Sequence, residues 1–177
     1  MSELEKDIRY PIGKFEPQPY SEKQKELWLT EILFLPRKLE SSVLNLDESQ
    51  LNVPYRDGGW CPRQIIHHLA DSHMNAFIRF KLALTENNPT IKPYDEKAWA
   101  EMSDYSLATN ISTTLLHALH NRWYDLMKHM QSEDWTKTFY HPERKIEYTL
   151  WAMLGLYSWH GNHHIAHINY LREQNGW

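Results

Sequence analysis

At 177 residues the chain is long enough to bury a full core as one domain without disulfides or a structural metal. Hydrophobic residues at 41% and charged residues at 24% exclude a disordered chain, and a net charge of -4 with acids and bases interspersed argues against an extended phosphate-binding surface, so no nucleic-acid partner is expected. The single cysteine, Cys61, excludes an internal disulfide, and no apolar run approaches the length of a membrane span, so no membrane association is expected either.

In chain order, the opening MSELEKDIRYPIGKFEPQPY carries no apolar core of a secretory leader, which predicts a cytoplasmic protein. Ser21-Glu22-Lys23-Gln24 has the form of a capping box. It opens a first helix whose apolar repeat runs through Trp28, Ile32, Leu39 and Val43, with a kink expected at Pro36. Asn52 to Gly59 reads as turns, and Pro62, just after Trp60-Cys61, starts a second helix that runs to about Leu84. Glu86 to about Asn110 is punctuated by Pro and Asn and is too long for a passive connection; such loops are lids, binding loops or crossovers. Ile111, Leu115, Leu119, Trp123, Leu126 and Met130 mark a third helix, and Thr138 to Tyr148 has the form of a small hairpin. A fourth helix follows Leu150, Met153, Leu154, Tyr157, His164, Ile168 and Leu171 and ends at Asn175-Gly176. The pattern predicts an all-α, single-domain four-helix bundle over 1–177, with a loop between helices 2 and 3 long enough to let them run parallel.

The fourth helix contains Trp159-His160-Gly161-Asn162-His163-His164-Ile165-Ala166-His167, four of the chain's eleven histidines in eight positions. At 100° per residue they span an arc of about 100° on one side of the helix. His160 and His164 are an i,i+4 pair, one turn apart, able to share one first-row metal ion. A third ligand must come from elsewhere, and His67-His68-Leu69-Ala70-Asp71-Ser72-His73 on the second helix is the donor segment. Spacing does not choose between His67 and His68, nor exclude His163 or His167. Around His68, Gln64, Asp71, Ser72, Asn75 and Arg79 fall within about 60°, a polar stripe of the kind that lines a cavity inside a bundle. His117, His120, His129 and His141 read as ordinary core or surface histidines, and Cys61 as a packing residue.

Several ordered segments carry a resemblance: Tyr10-Pro-Ile-Gly13, Pro54-Tyr-Arg-Asp-Gly-Gly-Trp60, His67-His-Leu-Ala-Asp-Ser-His-Met-Asn75, Arg79-Phe-Lys-Leu82, Pro93-Tyr-Asp-Glu-Lys-Ala-Trp99, Phe139-Tyr-His-Pro142, Gly155-Leu-Tyr-Ser-Trp-His160 and His163-His-Ile-Ala-His167. With them the chain resembles, over nearly its whole length, the DinB/YfiT-like superfamily of metal-binding four-helix bundles. The family pattern, a His before Leu-Ala on helix 2 and His-x3-His on helix 4, implies His68, His160 and His164 as the ligands. The resemblance also implies a homodimer, one zinc ion per subunit with nickel as the alternative, and a metal-dependent hydrolase; a bacillithiol transferase has also been described in the matching subgroup.

Three neutral imidazoles leave at least one position on a divalent ion open, which marks catalytic rather than closed structural sites. Zinc is the first choice on ligand type, with nickel, iron(II) and manganese compatible. The first functional expectation is hydrolysis of a small polar substrate by metal-activated water. The alternative is transfer of a low-molecular-weight thiol such as bacillithiol from a metal-held thiolate, and a non-catalytic metal-binding stress protein is the third reading. A protease is disfavoured, because the Glu that follows the first His of HExxH is replaced by Gly161. Asp71 is the candidate catalytic base, ahead of Asp95 or Glu96. Asn75 and Arg79 are placed to bind a substrate carboxylate, and Asp95, Glu96 and Trp99 to form a wall or lid over the open metal position, with a dimer contact as the alternative role of Trp99.

Overall fold

The computed structural model describes residues 7–177; the first six residues of the chain's opening and of the 1–177 domain lie outside the described residues. Four long helices form the body: α1 (Glu22–Val43), α2 (Pro62–Thr85), α4 (Thr109–Lys128) and α5 (Leu150–Asn175). A one-turn helix, α3 (Glu96–Ala100), sits in the crossover, and a two-stranded antiparallel hairpin, β1 (Thr138–His141) and β2 (Ile146–Thr149), precedes α5. No helix among the described residues is long and apolar enough to cross a membrane.

Local chemistry sets the helix ends. The Ser21 hydroxyl accepts from the Gln24 amide at the start of α1. At Cys61 the backbone N–H donates to Gln64 Oε1, with Pro62 in the first turn of α2, where its missing amide costs nothing. Thr149 caps α5 through Ala152, and Gly176 closes it at φ 68°, a left-handed turn that costs glycine little. Helix α1 runs through Pro36 without interruption, so the expected kink does not break it. Pro36 nevertheless withholds the amide that would bond the Ile32 carbonyl four residues back.

Residue pairings fix the directions. Along α2 and α4 they rise together, His67 with Ser112, His73 with His120 and Phe80 with Trp123, so these helices are parallel. Along α1 and α5 they also rise together, Trp28 beside Gly155, Leu35 beside Gly161 and the Ser42 carbonyl accepting from Arg172. Between α2 and α5 they run oppositely, His68 meeting His164 and His73 meeting Tyr157. The long crossover between α2 and α4 makes the parallel pair possible. It is pinned to the hairpin by the Ile91 amide on the Tyr140 carbonyl (3.0 Å) and the Tyr140 amide on the Pro89 carbonyl (2.9 Å).

One detail of the helical pattern differs from expectation. Ile111 and Leu115 are exposed, and the buried stripe of α4 is Ser112, Leu116, Leu119, His120, Trp123 and Met127. Adjacent leucines at 115 and 116 fit either register, and packing chose the second. The core divides into two apolar clusters. One holds Trp28, Ile32, Phe80, Trp123, Trp135 and Phe139, the other Leu35, Leu39, Ile65, Leu69, Leu116 and Ile168. On α2 and α5 the gap between the two clusters is where His73 and His160 fall, and His120 of α4 meets His73 there, giving the bundle a polar layer in mid-core.

Candidate metal centre

His68 from α2 and His160 and His164 from α5 converge, with one ring nitrogen from each within 4.8 Å of the others. His160 Nε2 lies 3.3 Å from His68 Nε2 and 3.2 Å from His164 Nε2. Two nitrogens bound tetrahedrally at about 2.1 Å stand about 3.4 Å apart, so the spacing is that of a shared metal ion. Burial holds all three rings neutral: His68 is pushed down to about 4, and burial, followed by the neighbouring imidazoles, holds His160 and His164 well below the ordinary histidine range. Neutral rings with facing lone pairs repel one another at these distances unless a proton or a cation lies between them. The donor set therefore fits a borderline divalent ion. The remaining Nδ1 atoms of His68 and His164 are buried and have no partner among the described residues.

The third Nδ1 is different. It belongs to an imidazole chain that crosses the bundle. Because Pro36 leaves the Ile32 carbonyl without its helical donor, His120 Nδ1–H donates to it. A carbonyl can only accept, so the proton of His120 is on Nδ1; with the ring held neutral at about 4 by burial, its Nε2 must accept. It accepts from His73 Nδ1–H at 3.0 Å. His73 is fully buried and held neutral by that burial, so its Nε2 in turn accepts from His160 Nδ1–H at 3.3 Å. Three rings thus share one tautomer, and the chain leaves His160 Nε2 as a bare lone pair aimed at His68 and His164. Sequence reasoning missed His73 and His120. The available signal was Pro36, whose orphaned i−4 carbonyl in a core helix requires a donor from another element.

A cavity of about 770 Å³ opens from His160 and is lined further by Ser72, Arg79, Tyr94, His141, Arg144 and Tyr157. The crossover supplies part of the lining through Tyr94, Asp95, Glu96 and Lys97. A hollow of similar size, about 780 Å³, lies between α1 and α5 at Phe34, Ser42 and Ile165, and none of the three histidines lines it.

The other sequence-selected residues divide. Arg79 is buried and lines the cavity, pairing with neither Asp71 nor Glu86. Asp71 does not line the cavity; its carboxylate accepts from the Tyr105 hydroxyl at 2.7 Å, and burial raises its affinity for a proton. Asn75 turns back to the Asp71 carbonyl at 2.9 Å and is likewise outside the cavity lining. Of that stripe, helix rotation turns Ser72 and Arg79 toward the cavity and Asp71 toward Tyr105 of the crossover. Asp95 lines the cavity, yet one of its oxygens is committed to the amides of Lys97 and Ala98 as the cap of α3. Glu96 is exposed at the rim, and Trp99 stands behind the wall against Tyr94, ring centroids 4.4 Å apart. His67 bonds the Ser112 hydroxyl, His163 stacks on Trp159, and His117 faces Glu40 at the surface.

Residues 32–168 match the model of the DinB superfamily. Two curated relatives, one from Bacillus cereus (strain 03BB102) and one from Bacillus thuringiensis subsp. konkukian (strain 97-27), are each named "Putative metal-dependent hydrolase". Each is 51% identical over 172 residues, covering 97% of this chain and 99% of the relative. Among solved structures, YfiT from Bacillus subtilis, described as a probable metal-dependent hydrolase with an unusual four-helix bundle topology, superimposes with a TM-score of 0.94. It is 48% identical, and the match covers 97% of this chain and 99% of that one.

Proposed function

The chain belongs to the DinB superfamily, and on that premise we propose that it is a metal-dependent hydrolase acting on a small polar substrate. The observation that carries the reading is the convergence of His68, His160 and His164 at ion-sharing distances, with His160 opening onto a cavity. Zinc is the ion the donor set favours: three neutral imidazoles from two helices, no carboxylate and no thiolate among them. When bound, such an ion acts as a Lewis acid, polarising water or a substrate oxygen at neutral pH.

The chain's own residues supply the rest. Two apolar clusters above and below the histidine layer exclude bulk water from its sides, which strengthens every charge interaction within it. The imidazole chain through His73 and His120 holds the His160 ring in one orientation and one protonation pattern. Tyr94 to Lys97 form the wall that confines a substrate against His160. No carboxylate follows His160 as Glu does in HExxH: Gly161 stands there, packed so closely on Leu35 that an added Cβ would clash with it.

The test is product analysis with the zinc-loaded protein in ¹⁸O-water against a panel of small amides and esters. Hydrolysis places solvent oxygen in the acid product, and the activity must disappear in His164→Ala. If turnover instead needs an added thiol such as bacillithiol and yields, without solvent oxygen, a thioester from these acyl substrates or a thioether from an added alkyl halide with release of halide, the protein is an S-transferase and the hydrolase reading falls.

A further inference from the structure

Arg79 stands three turns beyond His68 on α2 and, at 11 residues, within about 20° of it around the helix. The residue is 8% exposed, and its guanidinium makes no hydrogen bond and no ion pair with any described residue. Its nitrogens are not sealed from solvent, so its donors and permanent charge face the cavity with no protein acceptor of their own. The side chain does not point into a dry core, because it lines the same cavity as His160. The acids nearest the opening do not satisfy it. Asp95 is engaged in capping α3, and Glu96 and Glu143 are exposed at the rim. Arg144, the other guanidinium of the cavity, is exposed and donates to the Tyr148 hydroxyl at 3.3 Å.

We propose that Arg79 is the receptor for an acidic group of the substrate, a carboxylate or a phosphate, bound at the end of the cavity remote from the three histidines. The inference rests on the metal-site reading and adds the substrate class to it: a molecule with a reactive polar centre at one end and an anion at the other. The axial offset of Arg79 from His68 is about 16 Å, and helical side chains reach back toward the N-terminus, which shortens the gap a ligand must span. A planar guanidinium gives a carboxylate or phosphate two parallel hydrogen bonds, which fixes the far end and orients the reactive end. Ser72 and Tyr157 line the space between, small or amphipathic side chains suited to a short polar linker.

The experiment uses cobalt(II)-loaded protein, in which a thiolate reaching the ion produces a charge-transfer absorption. Three families of probe are titrated: ω-mercapto carboxylic acids, ω-mercapto phosphonates and ω-mercapto alcohols of matched and increasing length. At one preferred length an acid or a phosphonate binds at least tenfold more tightly than the alcohol, and which of the two wins tells carboxylate from phosphate. Arg79→Gln lowers that affinity to the alcohol's and leaves the alcohol's own affinity unchanged, while Arg79→Lys, a point charge without the fork, recovers only part of it. Equal binding of acids, phosphonates and alcohols at every length overturns the proposal in the unaltered protein, whether or not the variants fold. A preference that survives Arg79→Gln also overturns it. Thiols that coordinate cobalt without any preference for an acidic tail sink the acidic subsite alone, whereas a protein that takes up no cobalt sinks the metal reading and the subsite with it.

Discussion

Replacing His73 with leucine cuts the imidazole chain next to the metal position while keeping an apolar side chain at a fully buried site. Two polar atoms lose their partners: the Nδ1–H of His160 and the Nε2 of His120. At about 1–3 kcal/mol for each buried group left unpaired, the metal-free fold should lose about 2–6 kcal/mol, a large share of the total stability of an ordinary domain. Metal affinity should fall about 10- to 100-fold, the usual consequence of removing the partner that orients a ligating imidazole. His120→Leu makes the contrast. It orphans the Ile32 carbonyl and the His73 Nδ1–H, so the stability loss is of the same size, but His160 keeps its acceptor and metal affinity should change far less. Urea denaturation of the metal-free proteins measures the first quantity and chelator competition the second. In the unaltered protein, ¹⁵N spectra of the imidazoles should show His73 and His120 neutral and protonated on Nδ1. The reasoning is refuted if folded His73→Leu binds zinc as tightly as the unaltered protein, or if His120 carries its proton on Nε2.

Three further outcomes are expected. His68→Ala, His160→Ala and His164→Ala should each bring bound metal far below about one per subunit in elemental analysis, while His117→Ala and His129→Ala, both at the surface, leave it unchanged. The metal-free protein should lose stability on acidification. The folded pKa of His120 is pushed down to about 4 by burial against 6.5 unfolded, so its contribution is complete above pH 6.5 and is lost as pH falls toward 4, amounting to about 3 kcal/mol for that group. His68, His163 and His167 shift in the same sense, and a urea midpoint that stays level between pH 7 and pH 4.5 would contradict the neutral histidine layer. Gly155→Ala should cost about 1–3 kcal/mol of stability, because the added Cβ would stand 2.6 Å from the Trp28 ring where α1 packs on α5; a thermal midpoint equal to that of the unaltered protein would show that the ring can yield.

The helices, their caps and the hairpin were legible in the sequence because each depends on residues within a few positions of one another. Ser21, Pro62 and Gly176 act on their own turn of backbone, and the spacing of His160 and His164 puts them on one face whatever surrounds the helix. The long, Pro-punctuated stretch after Thr85 announced a crossover, since only such a length lets neighbouring helices run parallel. What remained open was rotation and partnership. A polar stripe on α2 offers Asp71, Ser72, Asn75 and Arg79 alike, and only the packing of α2 against α4 and α5 turns Ser72 and Arg79 into the cavity while giving Asp71 to Tyr105. On α4, neighbouring apolar residues left the buried register undecided by one position, and with it the direction of His120. That histidine acquires its place from a carbonyl on α1, 88 residues away in the chain, freed by a proline. No local pattern encodes a hydrogen bond between elements so distant in sequence; it exists only once the bundle has brought them within reach.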